Sequence, residues 1–244
     1  MKFSLPLKLG VFVVLLFTIV IAGMLLYRPL MENWRRSKLR SATDHIRESF
    51  EDNFEKVSEG NYPGAKGWRT MFDGVSASVS NKKCSEGRQS FRLEGRANWF
   101  RCEYIPVSLG KIFAYKAKVC VENAGKGGGV GFVVKRGSSF GPTYNLVTFT
   151  NDERIVFRGE RTLTEVGRYK AGTWYRVYVK IDFINRIADV YINGKLSGKN
   201  IPAAGIIVTD AGKKVKLEKF GLKTNNFSGS GTSVVYFDEV KLYY

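Results

Sequence analysis

A long apolar run near the start of the chain constrains how everything after it can fold. Residues 7–27 read LKLGVFVVLLFTIVIAGMLLY and carry a single charge, Lys8. Bilayer hydrocarbon about 30 Å thick is crossed by roughly 20 apolar helical residues, because each residue rises about 1.5 Å. The run therefore predicts a transmembrane anchor in contact with membrane lipid. A cleaved signal sequence is the alternative, since Lys2 and Lys8 form a basic leader, but its apolar part is usually shorter, about 7–15 residues.

The basic residues that flank this run disagree with export of the rest of the chain. Two lysines lie before its uncharged part, whereas five basic residues follow it, namely Arg28, Arg35, Arg36, Lys38 and Arg40. Counting these charges keeps the C-terminal flank in the cytoplasm. A large domain can nevertheless be translocated despite its flanking charge, and cleavage would remove the conflict. We expect a single-pass protein with an extracytoplasmic domain, and the opposite topology stays open.

The composition divides the remaining chain into a stalk and one domain. Residues 28–49 contain no glycine and place apolar residues at broadly helical spacing, which predicts a basic juxtamembrane helix or stalk. Residues 50–244 suffice for one well-buried β domain. The segment before Phe50 carries eight basic and three acidic residues, so the domain keeps +12 of the net charge of +17. This positive net charge favours anionic partners but does not identify which kind.

Short alternating runs replace helical periodicity after Gly64. In Trp174–Phe183 the odd positions are apolar and most even positions are polar, which predicts a half-buried strand. Asn193-Gly194 is the strongest short hairpin signal, because a type I′ turn needs positive φ at both central residues. We therefore predict an all-β fold, an antiparallel jelly-roll sandwich of about a dozen strands. The strands are expected near 70–80, 89–95, 99–105, 112–122, 130–136, 143–150, 153–158, 161–169, 174–184, 187–193, 216–223 and 232–243.

Four pieces of sequence, in this order, resemble a known family. They are FEDNFE at 50–55 with Gly67-Trp68, SFRLEG at 90–95, WYRV at 174–177 with the VYING of 190–194, and FDEV at 237–240. Together they resemble a concanavalin A-like lectin/glucanase domain of the LamG type. The resemblance implies a jelly-roll sandwich whose terminal strands meet, a family tendency to bind sugar or surface polymer, and calcium at a sandwich edge. For calcium the chain offers Asp52 and Asp238.

The motifs of the common catalytic and metal sites are missing from the sequence. Retaining glycoside hydrolysis needs two carboxyl groups about 5–5.5 Å apart, and no Glu-x-Asp-x-Glu run exists to present them on one strand face. The only histidine, His45, lies on the stalk, which argues against a serine triad. Cys84, Cys102 and Cys120 form no CxxC pair and are interpreted as small hydrophobes. We therefore expect no enzyme.

The glycine-rich stretch 125–131 lacks the Gly-Lys-Ser/Thr ending of a phosphate loop. It is interpreted as an open hairpin loop beside a ligand groove.

Sugar recognition needs aromatic faces and planar hydrogen-bonding groups. The alternation places Arg101 with Glu103, and Lys116 with Lys118, on shared strand faces, which form one polar surface if their strands are neighbours. The candidate ligand-binding residues are Trp68, Trp99, Arg101, Glu103, Tyr104, Tyr115, Lys116, Lys118, Arg136 and Tyr144. Core packing is the competing explanation for the aromatic members, and a solvated sheet face for the charged ones.

These observations favour a membrane-anchored, extracytoplasmic, non-catalytic module that binds glycan or another anionic surface polymer. The alternative is a structural or assembly protein of the cell envelope that uses the sandwich for protein contacts. A glycoside hydrolase comes third, because no paired-carboxylate motif is present. Nucleic acid is disfavoured as a partner, because the basic residues are scattered along strands rather than clustered.

Overall fold

The structure is a computed structural model that describes residues 47–96, 100–136, 139–210, 213–225 and 231–244, without the side chains of 135, 136, 139–142 and 210. The predicted anchor at 7–27 and the predicted stalk up to residue 46 lie outside these residues. Among the residues that are described, none belongs to a helix with the length and apolarity needed to span a bilayer. The first strand begins at Glu48, so the last two residues assigned to the stalk form strand instead.

Strands dominate the described part of the chain, joined by one short 3-10 turn at Gly64–Lys66. In chain order they are β1 Glu48–Asp52, β2 Arg69–Asp73, β3 Ser76–Ser80, β4 Ser90–Arg96, β5 Arg101–Pro106, β6 Ile112–Val121, β7 Gly127–Arg136, β8 Ser139–Phe149, β9 Arg154–Arg158, β10 Leu163–Arg168, β11 Tyr175–Asp182, β12 Ile187–Ile192, β13 Lys195–Pro202, β14 Ile207–Asp210, β15 Lys213–Lys216, β16 Lys219–Asn225 and β17 Thr232–Tyr243.

Two antiparallel sheets form the layers of a sandwich. The eight-stranded sheet runs β13-β12-β11-β6-β17-β4-β3, with β1 also paired to β17, and the seven-stranded sheet runs β10-β9-β8-β7-β16-β5-β2. β14 and β15 form a separate two-stranded ribbon. The prediction of an antiparallel all-β sandwich is confirmed. The terminal strands also meet, because β1 pairs with β17 from Glu48↔Tyr243 to Asp52↔Val240.

Alternation along the strands builds the core between the two sheets. In β6, Phe113, Tyr115 and Ala117 point inward and are at most 1% exposed, whereas Lys116 lies on the outer face. Phe113 and Tyr115 pack against Phe220 of β16 with ring centroids 6.3 and 5.1 Å apart. Aromatic rings of this size supply much of the buried apolar area that stabilises such a layer.

The glycine-rich stretch is a strand from Gly127 onward, which corrects the predicted loop there, whereas Gly125 lies in a turn. β7 begins at Gly127 and lies between β8 and β16. A Cβ on Gly128 would lie 2.7 Å from a methyl of Val235, and a Cβ on Gly131, at φ 150°, would lie 2.5 Å from the carbonyl oxygen of Asn145. The glycines therefore let neighbouring backbone and side chains approach closely.

Two further differences come from pairing and turn geometry. The predicted strand 70–80 is two strands, because the chain turns at Gly74, where φ is 30°. The strands β13, β14 and β15 were not predicted.

All three cysteines are free; Cys102 and Cys120 are buried and Cys84 is half-buried.

Candidate functional site

The outer face of the eight-stranded sheet gathers polar side chains from strands far apart in sequence. β6 and β11 are antiparallel neighbours, and their register places Arg176 opposite Lys118 and Tyr178 opposite Lys116. On its other side β6 pairs with β17, which brings Asp238 opposite Lys118. Because side chains alternate across a strand, these residues share the face that points away from the core.

A cleft of about 370 Å³ opens at one end of this face. Its walls come from four elements: the β3–β4 connection, β6, the start of β11 and the β12–β13 turn. The lining residues are Ser85, Glu86, Lys118, Trp174, Arg176 and Asn193. We call this site the Trp174 cleft.

Local hydrogen bonds hold the walls of the Trp174 cleft in place. The Asn193-Gly194 turn adopts φ 52° and 81°, as its sequence predicts. The side-chain oxygen of Asn193 accepts a 2.9 Å hydrogen bond from the backbone amide of Arg176. The backbone amide of Asn193 donates a 2.8 Å hydrogen bond to the carbonyl of Arg176. On the opposite wall the amides of Ser85 and Glu86 donate to one oxygen of Asp238 at 3.0 and 3.2 Å.

Two glutamates hold the lysine on the floor of the cleft. The Lys118 ammonium, with 6% of its side chain exposed, contacts Glu86 and lies 3.3 Å from Glu239. Lys116 lies 3.3 Å from the other oxygen of Glu239. Hydrogen bonding of Glu86 to Glu239 and to Lys118 lowers the pKa of Glu86 to about 2. These charges compensate one another, so the floor of the cleft is polar without a strong excess of either sign.

Trp174 and Arg176 give the cleft its binding chemistry. Trp174 is half-buried and packs against the small cluster of Cys120, Val234 and Tyr236. Arg176 is exposed, and its charge contributes to lowering the pKa of Glu86 in the same cleft. An anchored indole beside an exposed guanidinium offers an apolar platform for a sugar ring and planar donors for hydroxyl or carboxylate oxygens.

Arg101 and Glu103 lie elsewhere than expected. Their strand, β5, is in the seven-stranded sheet, so they do not form one surface with Lys116 and Lys118. Glu103 is fully buried; it contacts Arg101 and accepts a 2.5 Å hydrogen bond from the Tyr62 hydroxyl. Burial raises the pKa of Glu103, and the bonds from Tyr62 and Arg101 oppose that rise. This trio forms a buried polar contact.

The predicted aromatic candidates are mostly core residues. Trp68, Tyr115 and Tyr144 are at most 5% exposed and belong to the main core. The Tyr115 hydroxyl donates to backbone carbonyl oxygens at 2.9 and 3.2 Å, so its polar atom is already satisfied. Tyr104 is half-buried beneath Lys219, whose ammonium lies 5.2 Å from the ring centroid. Trp99 and the side chain of Arg136 lie outside the described residues.

The two residues suggested for calcium are engaged by protein donors. Asp52 accepts bonds from the Phe54 amide at 2.9 Å and the Trp68 indole at 3.0 Å. Asp238 accepts the two amides of the cleft wall and that of Glu239. In the described ranges no group of three or more His, Cys, Asp or Glu side chains could hold a metal ion. A calcium site needs six or more oxygen ligands, so these two carboxylates do not fit one on their own.

Sequence reasoning missed five of the six cleft residues: Ser85, Glu86, Trp174, Arg176 and Asn193. Trp174 and Arg176 belong to the alternating pattern that predicted strand β11, and Asn193 belongs to the pattern that predicted a hairpin turn. Neither pattern was taken to indicate ligand binding. Glu86 lies in an irregular connection whose position depends on Asp238, more than 150 residues away. No local signal marks it.

Comparisons with known proteins support the fold. No protein-family model matches the sequence, and no curated protein matches it significantly. A solved sialidase matches 81% of this chain with a TM-score of 0.58 and 16% identity, over 18% of its own length. Cellulose induced protein Cip1 matches 80% of this chain with a TM-score of 0.56 and 12% identity, over 96% of its own length. A botulinum neurotoxin type C structure matches 84% with a TM-score of 0.51 and 11% identity, over 49% of its length. These proteins share the β-sandwich fold with this chain, which spans under a fifth of the sialidase.

Proposed function

We propose that this chain is a non-catalytic, glycan-binding β-sandwich that the segment 7–27 holds at a membrane, with the sandwich outside the cytoplasm. The observation that carries the binding function is the Trp174 cleft, where an anchored indole lies beside an exposed arginine. A sugar that carries a carboxylate suits this pair best. Its ring would stack on Trp174, and its carboxylate would accept hydrogen bonds from Arg176.

The similar folds favour a carbohydrate ligand. Botulinum neurotoxin type C depends on interaction with two ganglioside molecules to enter cells. Two further matches are a sialidase and a cellulose-induced protein. These properties belong to those proteins, and at 11–16% identity the ligand of this chain has to be tested directly.

The carboxyl groups of the described residues argue against hydrolysis. A general acid needs a raised pKa and access to the substrate. Glu86 is accessible, but its pKa is lowered to about 2. Burial raises the pKa of Glu103, Asp52 and Asp238, but all three are at most 3% exposed and accept hydrogen bonds from protein groups. Accessibility and a raised pKa thus do not coincide in any of these four groups.

Binding to a glycan array, followed by calorimetry with neutral and carboxylated oligosaccharides, tests the proposal. We expect Trp174→Ala to weaken binding to both classes at least tenfold, because it removes the stacking platform. Arg176→Ala should weaken binding to the carboxylated class alone. Arg168→Ala is the matched control, since Arg168 is also exposed but lies on the other sheet. Absence of any glycan binding at moderate salt would contradict the proposal.

Salt and topology complete the test. Binding to nucleic acid would show a steep salt dependence with no sugar selectivity. Protease treatment of intact cells determines the membrane topology, because the protease reaches an extracytoplasmic sandwich but not a cytoplasmic one. Retention in the membrane after carbonate washing tests the anchor itself.

A further inference from the structure

The end of the sandwich opposite the Trp174 cleft is where the described chain begins. The carbonyl of Arg47 accepts a hydrogen bond from the amide of Tyr244, and the Tyr244 ring stacks on Phe113, with centroids 5.8 Å apart. Phe113 pairs with Ile181, near the last residues of β11. The start of the domain therefore lies beside the far end of β11, whereas the cleft lies at its first residues.

Two further connections reach the same end. The amide of Phe183 donates to the carbonyl of Lys111, which joins the β5–β6 connection to the β11–β12 turn. The β14–β15 ribbon emerges here too, because Pro202 at the end of β13 pairs with Ile187, and Lys219 at the start of β16 pairs with Pro106. We call this region the basal end: Arg47, Lys111, the turn at residues 183–186, and the ribbon strands at residues 207–210 and 213–216.

The basal end combines exposed apolar side chains with exposed lysines. Ile184 is 63% exposed and Ile207 is 56% exposed, so both leave most of their side-chain surface in water. In the ribbon, the pair Val208↔Val215 faces the core, and Val208 is 2% exposed. The alternate pairs, Ile207↔Lys216 and Thr209↔Lys214, therefore lie on the opposite face, which points outward.

Positive charge at the basal end is only partly neutralised. Lys216 pairs with Glu218 at 2.9 Å, and Arg186 pairs with Glu160. Lys111 and Lys214 are exposed and form no ion pair with the residues that the structure describes, whereas Lys213 lies opposite Asp210 on the other face of the ribbon. An outward face that carries isoleucine and lysine together has the composition of a surface that lies in the interface of an anionic bilayer.

We propose that the basal end docks on anionic lipid headgroups, with Ile184 and Ile207 inserted between them and Lys111 and Lys214 bound to phosphate. A membrane explains both features, because a soluble polyanion would satisfy the lysines but leave the isoleucines in water. The position of Arg47 supports it, since the chain reaches this end from the apolar segment 7–27. The proposal rests on the membrane part of the proposed function and is independent of the glycan.

Vesicle co-sedimentation of the fragment 47–244 tests this docking. The fragment contains the whole main core, whose members lie between Phe54 and Leu242, and a cooperative melt confirms its folding before use. Binding is compared on phosphatidylcholine alone and on phosphatidylcholine mixed with phosphatidylglycerol. We expect clear binding to the anionic vesicles only, and at least about a tenfold loss in Lys111→Glu/Lys214→Glu, since each basic residue near such a surface contributes on the order of 1 kcal/mol.

Matched variants distinguish docking through the basal end from nonspecific electrostatic or hydrophobic binding to vesicles. Ile184→Ser/Ile207→Ser should weaken binding several-fold and leave its salt dependence unchanged. Lys170→Glu/Lys195→Glu and Val75→Ser/Leu196→Ser change the same chemistry on exposed residues at the cleft end, and both should bind vesicles like the unaltered fragment.

Three results would overturn the proposal: equal binding to both vesicle types, equal losses in the cleft-end controls, or isoleucine variants that bind normally while heparin competes. The last would assign the lysines to a soluble polyanion. Carbonate extraction of the full chain tests the membrane anchor, and the glycan assays test the Trp174 cleft. Failure of the docking is therefore distinguishable from failure of the proposed function.

Discussion

Removal of the Glu103 carboxylate should be one of the most damaging single changes in this sandwich. Glu103 is fully buried on the inner side of β5 and contacts the Arg101 guanidinium, which is 12% exposed. Loss of one partner of a buried ion pair costs about 3–5 kcal/mol, because the other charge remains buried. Arg101 retains the Asp73 carbonyl at 2.6 Å and the Thr70 hydroxyl at 3.2 Å as acceptors. We therefore expect Glu103→Leu to lose about 3 kcal/mol, at the lower end of that range.

The assay is chemical and thermal denaturation of the fragment 47–244 within a double-mutant cycle. A loss of about 3 kcal/mol lowers the melting temperature by roughly 6–12 °C in a domain of this size. Arg101→Met/Glu103→Leu removes both charges and should recover at least half of the loss, because no buried charge is left unpaired. If Glu103→Leu loses less than about 1 kcal/mol, or if the double variant is as unstable as the two single losses added together, the ion pair does not carry the stability assigned to it.

Three further predictions concern buried or clamped polar groups. Burial lowers the pKa of Lys223 from 10.5 to about 8. At Lys223 the folded protein therefore binds fewer protons than the unfolded chain in that interval, so the contribution of Lys223 to stability rises with pH. Burial raises the pKa of the Cys102 and Cys120 thiols and acts in the opposite direction, so the test is a difference between proteins: from pH 8 to pH 10.5 the free energy of urea unfolding should change less favourably in Lys223→Met than in the unaltered protein. The Asn145 amide bonds both backbone groups of Ala204, at 2.7 and 3.0 Å, so Asn145→Ala should lose about 2–4 kcal/mol in the same assay. The pKa of Glu86 is lowered from 4.5 to about 2, so its stabilising effect is lost as pH falls through that range, and acid titration of Glu86→Gln should show a shallower fall.

Features of the fold that depend on local sequence were predictable. The alternation in β11 and the Asn193-Gly194 turn are properties of adjacent residues, and the structure has both. The glycine-rich strand was not predictable in this way, because its glycines are required by contacts with Val235 and Asn145. These contacts are made by residues distant in the sequence, so the composition of the stretch indicated a loop.

The Trp174 cleft depends on pairing between distant strands, which is why only Lys118 was anticipated among its residues. Lys118 and Arg176 become neighbours through the register of β6 and β11, and no local pattern states which strands pair. The same reasoning explains Arg101 and Glu103. Their alternation was recognised, but whether that face points to solvent or to the core is decided by the sheet that β5 joins.

The two proposed surfaces lie at opposite ends of one strand. β11 runs from the Trp174 cleft at Tyr175 to the basal end at Asp182, and its eight residues span about 23 Å at roughly 3.3 Å per residue. A sandwich docked through its basal end would therefore hold the cleft about that far above the headgroups, directed away from the bilayer. Lipid and glycan would not compete for one surface, and the basic charge of the domain would serve both: Lys111 and Lys214 at the membrane, Arg176 at the cleft. Arg47, with which the sandwich begins, lies at the end of the domain that carries the isoleucines, and this favours that end as the one facing the lipid.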